Sequence, residues 1–245
     1  MKNNEQLRLR EILNLVSAIP KKEELEKVID VGARSGHISK LIADLLDVPV
    51  IALDLKKPKI ECKNVISVEG NILNLEFPDD FFDLVICTEV LEHINPKFLQ
   101  RACNELKRIT KKYLLIGVPF EQDIRLYRTR CKRCGKRNPP WGHVNRFDEK
   151  KLKELFVELK LRRVSFVGKT KEVTNFISAF LMDLAGNPYG TYNQKEPCLY
   201  CGAKIEKPSL NFFQKALAKM AFIITKIQRM FISEKPIWIH VLFEK

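Results

Sequence analysis

Four of the seven cysteines fall into two Cys-x-x-Cys-Gly motifs, Cys131-Lys132-Arg133-Cys134-Gly135 and Cys198-Leu199-Tyr200-Cys201-Gly202. A thiolate pair at this spacing sits on a turn that lets two sulfurs and backbone amides face one ion. Two such turns supply the four sulfurs of a tetrahedral zinc site. The spacing predicts a structural zinc clasp held by Cys131, Cys134, Cys198 and Cys201. The competing reading is reduced loop cysteines or local disulfides. Cys62, Cys87 and Cys103 suit small buried apolar positions better than metal ligation. A second constellation is Asp30-Val31-Gly32-Ala33-Arg34-Ser35-Gly36. Its glycines let backbone approach a ligand closely, and the helix behind them offers unpaired amides. Asp54 closes the next apolar run, where an acid can accept hydrogen bonds from ribose hydroxyls. The plain alternative is a tight strand-to-helix turn and a solvated strand end. Among the groups able to move a proton near neutral pH are four histidines. Of these His143 and His93 lie in candidate site segments, while His37 and His240 read as structural.

The elements that must position these residues follow from periodicity. KVIDVG, PVIALD, NVISVEG, FDLVICT, YLLIGVP and RRVSFVG are short apolar runs that predict six strands. PIWIHVLFEK predicts a seventh at the end of the chain. Between them, Ser35 to Leu46, Pro96 to Ile109 and Asp148 to Leu159 carry helical patterns, with Asp148 as N-cap. Short apolar strands alternating with helices predict an α/β, doubly wound, Rossmann-like seven-stranded sheet with helices on both faces. Leu9, Ile12, Leu13 and Val16 mark an amphipathic N-terminal helix. Phe120 to Arg146 and Lys169 to Pro208 have no strong period, and each holds one cysteine pair. Ser209 to Ile232 reads as a basic amphipathic helix without an acidic residue.

The chain has 245 residues, 45% of them hydrophobic and 30% charged, with a formal charge of +13. That is ordinary globular usage, which excludes disordered and collagen-like chains. The positive excess attracts polyanions: nucleic acid, anionic lipid or phosphorylated substrates. Met1 to Pro20 has no unbroken apolar stretch of the signal-peptide kind, and no segment is long enough to span a bilayer. The expectation is a soluble, cytoplasmic protein.

Taken in order, the motifs resemble those of class I S-adenosylmethionine-dependent methyltransferases, of the type 11-like branch. IDVGARSG resembles the family's first motif, and Asp54 with Leu55 resembles the ribose-binding acid and its neighbour. Asn71 and Ile72 resemble the segment that meets the adenine. FDLVICTEVLEHI closely resembles the fourth-strand motif, in which Cys87, Thr88 and Glu89 would lie beside the methionine part of the cofactor. The resemblance covers about residues 25 to 168 and the final strand. It implies cofactor contacts from Asp30, Gly32, Ala33, Arg34, Gly36, Asp54, Leu55, Asn71, Ile72, Cys87 and Thr88. Arg34 stands at the family's middle glycine, and Asn71 stands where Asp is commoner.

This implies an N-terminal helix over 1–24 and a cofactor-binding core over 25–119. A first cysteine-containing insertion spans 120–146, and the core continues over 147–168. A second insertion with the amphipathic helix spans 169–235, and a final core strand spans 236–245. The activity implied is methyl transfer to a small-molecule or glycan acceptor. A hydroxyl acceptor needs a base, for which His143, His93 and Glu89 are the candidates. Two other readings stand: an RNA methyltransferase whose Arg125 to Arg137 segment holds phosphates, and a non-catalytic binding protein whose pocket Arg34 closes. The helix within 209–232 offers peripheral membrane contact, against the plainer reading that it packs over the core or in a dimer.

Overall fold

The structure is a computed structural model and describes residues 2–245. In chain order its elements are α1 (Lys2–Ser17), β1 (Val28–Val31), α2 (His37–Leu46), β2 (Val50–Asp54), β3 (Val65–Glu69), β4 (Phe82–Thr88), α3 (Leu99–Ile109), β5 (Thr110–Pro119), β6 (Thr129–Arg130), β7 (Arg137–Asn138), α4 (Glu149–Leu155), β8 (Lys160–Val167), α5 (Phe176–Leu184), α6 (Phe212–Met230) and β9 (Trp238–Glu244). They divide into two units. The first is Met1–Phe120, Phe147–Gly168 and Pro236–Lys245; the second is Glu121–Arg146 and Lys169–Lys235.

The first unit is a seven-stranded sheet in the order β3-β2-β1-β4-β5-β9-β8. Strands β1 to β5 pair in parallel, and β9 runs antiparallel between β5 and β8. All seven residues of β4 are buried, as a central strand covered on both faces requires. Alternate residues of the strands feed two apolar layers. Ile29, Val85 and Leu114 face α3 and α4 through Leu106 and Leu152. Leu84, Ile86 and Leu115 face α1 and α2 through Ile12, Val16 and Ile42. The expected fold class is therefore the observed one.

The differences from the sequence reading are local. The buried stripe of α1 is Arg8, Ile12, Leu15 and Val16, one step round from the expected stripe, with Leu9 and Leu13 only partly covered; Ile19 is buried just past the helix end. Met1 lies outside the described residues. The helix capped by Asp148, whose carboxylate accepts the Lys151 amide at 2.7 Å, ends at Leu155 and not at Leu159. The segment 120–146 contains the short β6–β7 hairpin.

The second unit holds that hairpin, α5 and α6. Helix α5 lies inside the stretch read as irregular. Its sequence FISAFLMDL has almost no polar face, so it carries no amphipathic period to detect. Helix α6 begins with a capping box: Asn211 Oδ1 accepts from the Gln214 amide at 2.9 Å, and Gln214 Oε1 accepts from the Asn211 amide at 3.1 Å.

Candidate functional site

In the first unit the C-terminal ends of β1, β2 and β4 lie side by side, with Val31 paired to both Leu53 and Cys87. The loop after β1 is tied to β2 by its own backbone. The amides of Gly32 and Ala33 both donate to Leu53 O, at 2.7 and 3.0 Å. Gly32 has φ +85°, and a side chain there would come within 2.2 Å of Val90. Arg34, also left-handed at φ +48°, occupies a conformation that suits glycine. Its amide donates to Asp54 Oδ2 at 2.8 Å, and the Leu55 amide donates to Oδ1 at 2.7 Å. Asp54 is thereby oriented, and each oxygen keeps a lone pair for a further donor. The Arg34 side chain is exposed and reaches the turn after β4, where Nη2 lies 3.5 Å from His93 Nε2.

The remaining positions of this segment fall around the same strand ends. Asp30 is buried and accepts from Ser39 Oγ at 2.6 Å; burial pushes its carboxyl up to about 6. Ala33, Ile72, Cys87 and Thr88 are buried. Leu55 is 67% exposed, an apolar side chain left open beside Asp54. Asn71 is exposed, and its Oδ1 closes a turn by accepting the Leu73 amide at 2.9 Å.

Directly after β4 the chain places two carboxylates, Glu92 buried and Glu89 half-buried. Glu89 sits at φ +57° with Oε1 unbonded and its carboxylate taking a hydrogen bond from the Trp238 side chain. Glu92 is fully buried, with no hydrogen-bond partner for either oxygen. Burial is the main cause that raises both acids, and the charge of Glu89 raises Glu92 further. Arg8 of α1 opposes this. Its guanidinium holds Glu5 at 2.7 Å and leaves Nη1 unbonded and buried. Sequence reasoning missed Arg8. The available signal was that Arg8 precedes Ile12 and Leu15 by four and seven positions, a charge on the buried stripe. His240, in β9, is fully buried with neither ring nitrogen bonded, and burial holds it down to about 3, so it stays neutral. Burial also pushes the Cys87 thiol well up, which favours its protonated form.

In the second unit the two Cys-x-x-Cys turns are built alike. Cys131 N donates to Lys136 O and Gly135 N to Cys131 O; Cys198 N donates to Ala203 O and Gly202 N to Cys198 O, all at 2.9 Å. Gly135 and Gly202 have φ of +70° and +67°, with open space where a side chain would be, so backbone conformation alone calls for glycine. Cys131 Sγ lies 3.7 Å from Cys201 Sγ, and Cys134 Sγ lies 3.6 Å from Cys198 Sγ. The four sulfurs are all within 4.8 Å of one another. A tetrahedron of sulfurs about 2.3 Å from zinc has edges of about 3.8 Å, so the set fits the ion. Asn138 joins the two turns by accepting the Leu199 amide at 2.9 Å. Burial opposes ionisation of Cys198, but amide donation from Tyr200 and Cys201 outweighs it and pulls the thiol down to about 6.

Residues 29–115 match a family model described as "Methyltransferase domain". An uncharacterized protein of Methanocaldococcus jannaschii is 37% identical over 118 residues, which are 46% of this chain and 50% of that one. The match thus spans about half the length of that curated relative. A putative methyltransferase of Bacillus halodurans superposes with TM-score 0.56 at 17% identity, over 97% of this chain and 98% of that one. A SAM-dependent methyltransferase of Archaeoglobus fulgidus gives 0.53 at 16% identity, over 99% and 97%. The fold is that of a SAM-dependent methyltransferase. The methyltransferase family model ends at residue 115, before all four clustered cysteines.

Of the base candidates, Glu89 and His93 belong to the first unit. His93 is half-buried in the turn Leu91–His93. His143 belongs to the second unit, where Nδ1 is 2.6 Å from Gln122 Oε1 and the ring centre is 5.9 Å from that of Trp141. His37 starts α2, exposed. Four cations of the basic segment find acidic partners within their own unit. Arg125 pairs with Asp123, Arg128 and Arg137 with Asp183, and Lys132 with Glu206.

Proposed function

We propose that the chain is an S-adenosylmethionine-dependent methyltransferase that transfers a methyl group to a small-molecule or glycan acceptor. The observation that carries this reading is the pair Glu89 and Glu92 after β4, with three buried, unbonded carboxylate oxygens. Buried carboxylates without partners are costly, and a cationic guest supplies the missing charge. S-adenosylmethionine is such a guest, and when bound it supplies an electrophilic methyl carbon on a cationic sulfur. Asp54 would hold the ribose hydroxyls and Leu55 would cover one face of the adenine. The loop Asp30 to Gly36 would follow the methionine portion. Glu89 would face the positive charge, and Arg34 would close the outer side from its position near His93. The protein's share of the rate comes from aligning acceptor oxygen or nitrogen with the methyl carbon and excluding water. Within the first unit, His93 would take the acceptor proton.

Zinc is read as structural. It would be held by Cys131, Cys134, Cys198 and Cys201 and would take no part in the transfer. The small-molecule acceptor is preferred to RNA because Arg125, Arg128 and Arg137, three of the cations of that segment, already have internal acidic partners.

Calorimetric titration with S-adenosylhomocysteine tests the reading. Dissociation in the micromolar range, about −8 kcal/mol, is expected, and Glu89→Gln should weaken S-adenosylmethionine, which carries the cationic sulfur, more than S-adenosylhomocysteine, which does not. Absence of heat at millimolar ligand would overturn it in favour of a non-catalytic binding protein.

A further inference from the structure

Helix α6 is built inside out for a water-facing helix. It packs on α5 through small and polar residues: Ala218, Ala221 and Thr225 are its buried positions, Thr225 Oγ1 lies 3.5 Å from Thr174 Oγ1, and Gln228 Oε1 accepts from Asn175 Nδ2 at 2.9 Å. Its large apolar side chains point to solvent. Phe212, Met220, Ile223, Ile227 and Met230 are all exposed, Phe212 by 90%. Their spacing keeps them on one continuous stripe of the helix surface. Along one edge of that stripe run Lys215, Lys219 and Lys226, exposed and outside every ion pair among the described residues. Helix α5 repeats the pattern: Ser178 is buried, while Phe176, Phe180 and Leu184 are exposed at four-residue spacing. Apolar patches of this extent on a folded chain mark an interaction surface.

We infer that the α5–α6 hairpin docks on the surface of an anionic lipid bilayer. The three-sector layout of α6 is what an interfacial helix needs. The inner sector is used by α5, the apolar stripe enters the acyl boundary, and the lysines reach headgroup phosphates on long aliphatic stems. No helix among the described residues is long and apolar enough to cross a membrane, so the hairpin lies on the surface. Charge selects the occupant. A second copy would bring the same three lysines against each other on chains that each carry +13. Anionic lipid answers both the apolar stripe and its basic edge. The inference does not depend on the cofactor reading.

The test is co-flotation of the full chain with vesicles of phosphatidylcholine alone and of phosphatidylcholine mixed with phosphatidylglycerol. Binding to the mixed vesicles is expected, weakening as salt rises. Replacing all three lysines (Lys215→Glu, Lys219→Glu, Lys226→Glu) should reduce it by about tenfold or more. Met220→Ser with Ile227→Ser, both at exposed positions, should abolish binding while leaving S-adenosylhomocysteine affinity unchanged. Chain that stays with the soluble fraction at low salt would overturn the inference. So would binding insensitive to the lysine replacements. A concentration-dependent dimer that the Met220 and Ile227 replacements dissolve would also overturn it, by naming a second copy as the occupant.

Discussion

The two units solve the problem of holding a shape in opposite ways. The first unit buries two apolar layers against one sheet, from Ile12 to Phe243. The second unit's separate buried cluster is Cys131, Cys198 and Ile205, with its largest apolar side chains turned outward. A core that small does not repay the conformational entropy of its loops, whereas four thiolates on one ion can. The first unit is therefore self-sufficient, and the second leans on its cysteine centre and its internal ion pairs.

The largest expected effect separates the two units directly. One zinc ion per chain should be found by metal analysis. Chelation or Cys134→Ser should remove binding free energy on the order of 10 kcal/mol from the second unit. Hydrogen exchange should then rise through 121–146 and 169–235 while β1, β4 and β5 stay protected. Equal loss of protection in both units would break the comparison, as would a chain that never holds metal.

A smaller effect lies inside the self-sufficient unit. Burial raises the Asp30 carboxyl from 3.8 to about 6, so the folded chain prefers it protonated. Stability should fall as pH climbs between those values and be level above, by about 3 kcal/mol. Asp30→Asn should flatten that slope and raise the melting temperature at pH 7, while weakening S-adenosylhomocysteine. An unchanged pH profile would mean that Asp30 does not carry this cost.

The smallest effect concerns Arg34. Glycine at its φ of +48° relieves the left-handed backbone but loosens the unfolded chain, so Arg34→Gly should change stability by no more than about 1 kcal/mol. If its side chain closes the crevice over the cofactor, ligand dissociation should quicken in the same variant. Tighter binding would assign Arg34 to obstruction instead.

The sheet was readable because strands such as FDLVICT are short, apolar and bounded by turn residues, and hydrophobic period is local information. The Asp54 segment was readable for the same reason, lying at the end of such a strand. Helix α5 was not, because FISAFLMDL lacks a polar face. Arg8 was hidden because a charge on a buried stripe looks like a break in the stripe until its acidic surroundings are seen. Glu92 follows a strand in a way that suits a cap, and nothing in its neighbours announces that both oxygens lose water.

By itself, the sequence determined the order of the strands along the chain, the two knuckle turns with their glycines, and the basic character of α6. Each of these is set within a few residues by backbone conformation or side-chain period. Only the tertiary structure decided that the two knuckles bring their sulfurs within one ion's reach. The same holds for the pairing of Arg128 and Arg137 with Asp183, and for which face of α6 is turned outward. Those outcomes depend on residues far apart in the chain and on competition among many faces for burial, which no local pattern encodes.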